Sequence, residues 1–150
     1  VRTWVEANGL TLHPEKTHIV DAREKSFSFL GYSFRGNLRF PREKSHRKLM
    51  DRIRELTPRK SGKSLKVVLQ EINRSIQGWF NYFRHCHWSI FRDYDRTVRT
   101  RLRRLLLKRH RRNPQRLPRQ HRWPNAYFTD RGLHSLNTAH ARFVQSIGTY

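Results

Sequence analysis

The sequence predicts an α+β fold, in which a small antiparallel sheet is followed by a mainly α three-helix bundle and by a basic, partly irregular C-terminal tail. Two patterns carry this prediction. Before Pro41 apolar and polar residues alternate, most clearly over 26–30, and this period of two is typical of half-buried strands. After Pro41 apolar residues recur every three or four positions, as on a helix that faces a core. We therefore divide the chain into three parts: 1–40, 42–112 and 113–150.

The first part is predicted to be a helix followed by short strands. The helix ends near Asn8, where Gly9 supplies a left-handed stop. Strands are expected at Leu10–Leu12, 17–20 and 26–34, and a turn at 35–37 leads to a return strand at 38–40. A helix and so small a sheet are too little to stand alone, which indicates the edge of a larger domain.

The second part is predicted to be three amphipathic helices with short links. The first runs over 42–56 and stops at Thr57, before Pro58. Ser64 is a suitable N-cap for the second, which ends at 85–87, and the third follows from 88 to about 107. Apolar faces at helical spacing on all three predict a small helical bundle.

The tail contains a segment rich in Pro and Arg, for which we predict an extended conformation over 113–124, and a short helix over 137–146. Aromatic residues return at Trp123, Tyr127 and Phe128. Because basic residues and prolines surround them, these rings can stack on unpaired bases or dock onto the bundle, and the sequence leaves both open.

The charge balance predicts a polyanionic partner. The chain has 33 Lys and Arg against 11 Asp and Glu, a formal net charge of +22, which repels itself unless a polyanion screens it. At about 100° per residue, four arginines of the third helix fall in one narrow stripe, about a third of a turn from its apolar face. That stripe consists of Arg92, Arg96, Arg99 and Arg103. One side of this helix can therefore pack while the other meets nucleic acid.

Other classes of function fit less well. A single cysteine, Cys86, forms no internal disulfide and favours a reducing, cytoplasmic context. No apolar run is long enough to span a bilayer, and the charge is too widely spread for one membrane-surface helix. His85, Cys86 and His87 lack the further ligands of a zinc site, so we expect no metal. Asp93 and Asp95 diverge by about 200° on a helix, so they cannot form a two-metal site together. Cys86 has no evident acid–base partner, and we therefore expect no catalytic residue.

The second helix has two further features of interest, a glycine and a run of aromatic residues. Gly78 has no side chain, so another protein backbone or an RNA backbone can approach it closely, and of the two we expect packing within the protein. Trp79, Phe80 and Phe83 lie on or beside the core face and are expected to pack, whereas Tyr82 is the exposed exception that could stack on a base.

Two separate stretches resemble group II intron reverse transcriptases. Residues 9–17 and 29–32, with Gly-Leu-Thr-Leu-His-Pro-Glu-Lys-Thr and Phe-Leu-Gly-Tyr, resemble the end of their palm. Gly-Trp-Phe-Asn-Tyr-Phe at 78–83, followed by a helix of Arg and Leu led by Asp95, is similar to their maturase-specific region, called domain X or the thumb. The tail is similar to the end of shorter bacterial members, so the resemblance covers almost the whole chain.

The resemblance implies that the chain is an RNA-binding maturase fragment that helps a group II intron to fold and splice, with intron RNA and an RNA–DNA hybrid as expected partners. Phe29, Leu30 and Gly31 match the primer-grip position. The family's Tyr-x-Asp-Asp motif is not in this sequence. We therefore expect no polymerase activity from the chain alone, no cofactor in it, and Mg²⁺ only together with a palm and fingers half supplied from elsewhere.

Candidate phosphate contacts are the basic residues of the first helix, the loop after it and the stripe of the third helix: Lys44, Arg47, Lys48, Arg52, Arg59, Lys60, Lys63, Arg96, Arg99 and Arg103. Two alternatives stay open. The chain can be part of an active RNA-directed DNA polymerase whose catalytic half is missing here. It can instead be a non-specific basic nucleic-acid binder, or a decayed gene remnant with no selected role.

Overall fold

A computed structural model describes residues 2–13, 20, 21, 23–58, 60–110 and 122–148. Its fold is α+β, as predicted: a three-stranded antiparallel sheet precedes a set of packed helices. The elements in chain order are α1 (Arg2–Ala7), β1 (Phe27–Phe29), β2 (Tyr32–Arg35), β3 (Leu38–Pro41), α2 (Glu43–Leu56), α3 (Leu65–Phe83), α4 (Ser89–Arg109), α5 (Asn125–Thr129) and α6 (Leu136–Ile147).

The sheet is a meander in the order β1-β2-β3. A two-residue turn joins β1 to β2, with Phe29 paired to Tyr32 across it. Both turn residues have positive φ, 46° at Leu30 and 82° at Gly31, and this pairing suits the right-handed twist of a hairpin. The turn divides the strand that alternation predicted over 26–34. Glycine at the second turn position adopts positive φ without steric strain, which allows the chain to reverse there.

The prediction of a strand at Leu10–Leu12 is wrong. These residues follow α1 without joining the sheet, and Leu10 is 61% exposed. A strand needs a neighbour to take its backbone hydrogen bonds, and local alternation cannot supply one. Most of the strand expected at 17–20 lies outside the described residues.

The bundle of α2, α3 and α4 encloses the core, and the three helices begin and end within a few residues of their predicted bounds. Ser64 caps α3 as expected, since its hydroxyl accepts a hydrogen bond from the Val67 amide. Ile72, Phe91 and Leu102 are completely buried. Gly78 was expected to meet a neighbour, but no described atom lies within 4 Å of where its Cβ would be, so that expectation is wrong.

The described part of the tail docks onto the bundle. Trp123, Phe128 and Leu136 are buried in the same apolar cluster as the bundle core, so Trp123 and Phe128 dock rather than remain available for stacking. The helix expected over 137–146 is present as α6. The extended conformation expected for 113–124 falls almost entirely outside the described residues.

Polar side chains of the bundle, among them Asp95 and Asn73, hold the tail in place. The Asp95 carboxylate on α4 accepts hydrogen bonds from the Ser135 hydroxyl at 2.7 Å and from the Leu136 amide at 2.9 Å, and so caps the start of α6. On α3, the Asn73 side chain donates to the Gly132 carbonyl at 2.7 Å and accepts from the His134 amide at 2.9 Å. These contacts supply hydrogen-bond partners to backbone groups that would otherwise be left without any when the tail is buried.

Candidate nucleic-acid interface

The predicted arginine stripe of α4 lines one groove of about 660 Å³, which we call the arginine groove. The start of α5 forms its other wall. The groove is lined by Arg92, Asp93, Arg96, Arg99, Thr100, Arg103, Pro124 and Asn125. Helical spacing brought the arginines together, whereas the second wall exists only because the tail docks beside them.

Arg103 holds the second wall of the groove. Its guanidinium donates to the Trp123 carbonyl at 2.9 Å and to the Asn125 side chain at 2.8 Å, and it lies 5.5 Å from the centre of the Phe128 ring. Burial, and then the neighbouring Arg99, lower the pKa of Arg103 from its ordinary value. An arginine nevertheless remains cationic in proteins, so Arg103 contributes positive charge while it positions the tail.

Arg99, like Arg103, is held by contacts within the protein. Only 18% of its side chain is exposed, and its guanidinium lies 3.9 Å from the Asp95 carboxylate. This ion pair connects the arginine groove to the cap of α6. Arg99 therefore supports the shape of the groove as well as its charge.

Arg92 and Arg96 are the two exposed arginines of the groove. Arg92 lies over the Trp88 ring, 5.3 Å from its centre, and this contact leaves its charge unneutralised. Neither arginine has an acidic partner within the described ranges, and Asp93 is the one acid among the lining residues. These two side chains can therefore bind an anion without first breaking an ion pair.

The candidates on α2 are all exposed, in two different settings. Lys44 and Lys48 have no acidic partner in the part of the chain that the structure describes, whereas Arg47 pairs with Glu43 at 3.3 Å and Arg52 with Glu55 at 2.9 Å. Exposed pairs of this kind contribute about 0–1 kcal/mol, so a phosphate can replace the carboxylate at little cost.

The candidates in the loop after α2 lie in different settings. Lys60 is exposed, Lys63 pairs with Glu71 at 2.6 Å, and Arg59 lies outside the described residues. Sequence reasoning missed that α4 reaches back to this loop: Arg109 donates to the Lys63 carbonyl at 2.5 Å, and Arg101 to the Thr57 hydroxyl at 3.0 Å. No local pattern could reveal these contacts, which span more than 40 residues.

The primer-grip-like turn at Phe29, Leu30 and Gly31 projects from the sheet, with Phe29 61% and Leu30 68% exposed. It is anchored to α3, because the Tyr82 hydroxyl donates to the Leu30 carbonyl at 2.6 Å and the Tyr32 hydroxyl donates to the Tyr82 carbonyl. Tyr82 was expected to be exposed and able to stack on a base. It is half exposed, but its hydroxyl is used in the hydrogen bond to Leu30.

Asp93 and Asp95 do not fit a two-metal centre. Both oxygens of Asp95 accept hydrogen bonds from the start of α6, and Asp93 is exposed on the same helix. No group of three His, Cys, Asp or Glu residues that could hold a metal ion occurs within the described ranges. Burial raises the pKa of the Cys86 thiol to about 12, so the thiol stays protonated and poorly nucleophilic near neutral pH.

The three-helix bundle matches a known protein family. A family model, "Group II intron, maturase-specific domain", matches residues 46–123, just over half of the chain, from early α2 to the first residues of the docked tail. No curated protein matches the chain. None of the described helices is long and apolar enough to cross a membrane. The family match identifies the chain as a member of the group II intron maturase family.

Proposed function

We propose that this chain binds structured intron RNA and assists its folding for splicing, and that the arginine groove grips the RNA backbone. Membership of the maturase family supports a role in intron splicing. The observation that carries the proposal is the pair of exposed, unneutralised side chains of Arg92 and Arg96 beside Arg99 and Arg103, which are fixed by internal contacts.

This arrangement suits phosphates. A guanidinium can donate two parallel hydrogen bonds to phosphate oxygens, and Arg92 and Arg96 lie four residues apart on one helix face. Because Arg99 and Arg103 are already ordered by Asp95 and by the tail, their positive charge reaches the groove without further loss of side-chain entropy. Contacts of this kind recognise the shape of folded RNA more than its sequence.

Replacing Arg96 by alanine tests the groove directly. We expect Arg96→Ala to weaken binding to group II intron RNA at every salt concentration and to reduce the slope of log affinity against log salt by about one, because one phosphate contact is lost. The measurement is a filter-binding or fluorescence titration of the full chain over a salt series.

Arg104→Ala is the matched control, since Arg104 is exposed on the same helix but outside the groove and its loss removes the same charge. Equal effects of Arg96→Ala and Arg104→Ala would mean that net charge, and not the groove, determines binding. Arg99→Ala is less informative, because it also leaves the buried Asp95 without its ion pair.

The assignment of Phe29, Leu30 and Gly31 to a primer grip stays a prediction, as do an RNA–DNA hybrid as partner and the alternative of a polymerase completed by another chain. Each depends on a catalytic half with the aspartates that this sequence lacks. The exposed and anchored turn at Leu30 is compatible with close approach of a nucleic-acid backbone to the protein main chain.

A further inference from the structure

A second groove lies between α2 and α3, and we propose that it accepts one unpaired nucleobase of the bound RNA, with the adjoining phosphate on Lys48 and Arg52. This inference rests on the proposed function and adds a base-binding site to it. The groove has a volume of about 400 Å³ and is lined by Ser45, Lys48, Leu49, Arg52, Ser75, Trp79 and Phe83; we call it the α2–α3 groove.

The floor of the α2–α3 groove is aromatic and apolar. Trp79 is stacked on Phe83, with ring centres 4.6 Å apart and planes at 28°, and Leu49 lies beside them. Phe83 and Leu49 are buried, whereas Trp79 keeps part of its ring accessible. The indole nitrogen is closed off from solvent, so the part of Trp79 that lines the groove is ring carbon and not its N–H. A flat nucleobase can extend this stack.

The rim of the α2–α3 groove is cationic. Lys48 and Arg52 are four residues apart and therefore lie on the same face of α2. Lys48 has no acidic partner among the described residues, and Arg52 is held only by an exposed pair with Glu55. No acidic residue lines the groove. A nucleotide, which joins a flat apolar ring to an anionic phosphate, matches a floor and a rim of this kind.

Polar groups at the wall complete the match. The Ser75 hydroxyl makes no hydrogen bond within the described part of the chain, and it lies on α3 one turn before Trp79. It can bond the edge of a base, which always carries donors and acceptors. The arginine groove differs, because its lining residues are mostly charged or polar and none of them is aromatic.

The test uses two RNA hairpins that differ in one bulged nucleotide, which is 2-aminopurine in one and abasic in the other. We expect the full chain to bind the 2-aminopurine hairpin about tenfold more tightly, because stacking on Trp79 is available only to it, and to quench its fluorescence. Ser75→Leu narrows the groove and should abolish both effects, so that the two hairpins bind with the same affinity and the fluorescence is no longer quenched.

Gln70→Leu is the matched control, because Gln70 is exposed on α3 outside the groove and receives the same side chain. It should leave the preference intact, and circular dichroism should show both variants folded. Equal affinity for the two hairpins, or quenching that survives Ser75→Leu, would overturn the base site and leave the proposed function standing. Failure to bind either hairpin or intron RNA would overturn both proposals.

Discussion

Asp95 connects the bundle to its tail at a single carboxylate. It is 5% exposed and caps α6 through the Ser135 hydroxyl and the Leu136 and Asn137 amides, and Arg99 lies within ion-pair distance. A buried carboxylate is costly unless its hydrogen-bonding capacity is filled, and here both oxygens are used. The same residue therefore secures the tail and fixes one arginine of the groove.

Asp95→Ala should lower the free energy of unfolding by about 2–4 kcal/mol, because it leaves buried amides and the Arg99 guanidinium without their acceptor. The midpoint of urea denaturation measures this loss. Asp93→Ala removes an exposed carboxylate two positions away and should change stability by less than about 0.5 kcal/mol. A loss as small in Asp95→Ala as in Asp93→Ala would show that the cap contributes little.

For single residues, the sequence predicted which arginines share a helix face, but it did not predict which groups of the protein each arginine contacts. Helix periodicity places Arg92, Arg96, Arg99 and Arg103 together, and they do line one groove. The carbonyl of Trp123, which accepts from Arg103, is 20 residues away along the chain. Periodicity carries no information on such distant partners, so the division into exposed and internally bound arginines required the structure.

Among the elements, the β1–β2 hairpin depends most on another part of the fold. Three short strands are marginal by themselves, and the hairpin is fastened to α3 through Tyr82 and to the start of α2 by the Arg42 amide, which donates to the Gly31 carbonyl at 2.9 Å. Tyr32 also stacks on Tyr82, with ring centres 5.7 Å apart. Aromatic contacts and hydrogen bonds thus join the sheet to the bundle.

Tyr82→Phe should accelerate hydrogen exchange of the amides of β1 and β2 about two- to fivefold, because loss of one exposed hydroxyl contact costs about 0.5–1 kcal/mol of local stability. Amides in the middle of α4 should be unaffected. Tyr127→Phe is the control, since that hydroxyl makes no hydrogen bond within the described residues. Unchanged exchange in the hairpin would mean that the Leu30 contact does not hold it.

Helices were predicted more accurately than strands, for a physical reason. The C-terminal end of α2 is determined locally by Pro58, and the start of α3 by the cap at Ser64. Both signals are visible in the sequence. The strand expected at Leu10–Leu12 failed because a strand needs a neighbouring strand to take its backbone hydrogen bonds, and alternation within one segment does not show that such a neighbour pairs with it. The hairpin at Leu30 and Gly31 was missed as a turn because a leucine rarely adopts positive φ.

The whole molecule combines a large positive charge with a core extended by its own tail. A net charge of +22 opposes compaction, and burial of Trp123, Phe128 and Leu136 against the bundle works in the other direction. Composition alone predicted a polyanionic partner. It could not predict that the tail would form one wall of the arginine groove, because that depends on contacts between Asp95, Asn73 and segments about 40 to 60 residues away.

The most direct test of RNA recognition is the affinity of the full chain for a group II intron RNA and for an unrelated RNA of equal length, measured over a salt series. The shaped sites described above predict a preference for the intron RNA that persists at high salt, where unspecific phosphate contacts weaken. Equal affinities that fall together with rising salt would contradict the maturase proposal and leave a non-specific basic binder.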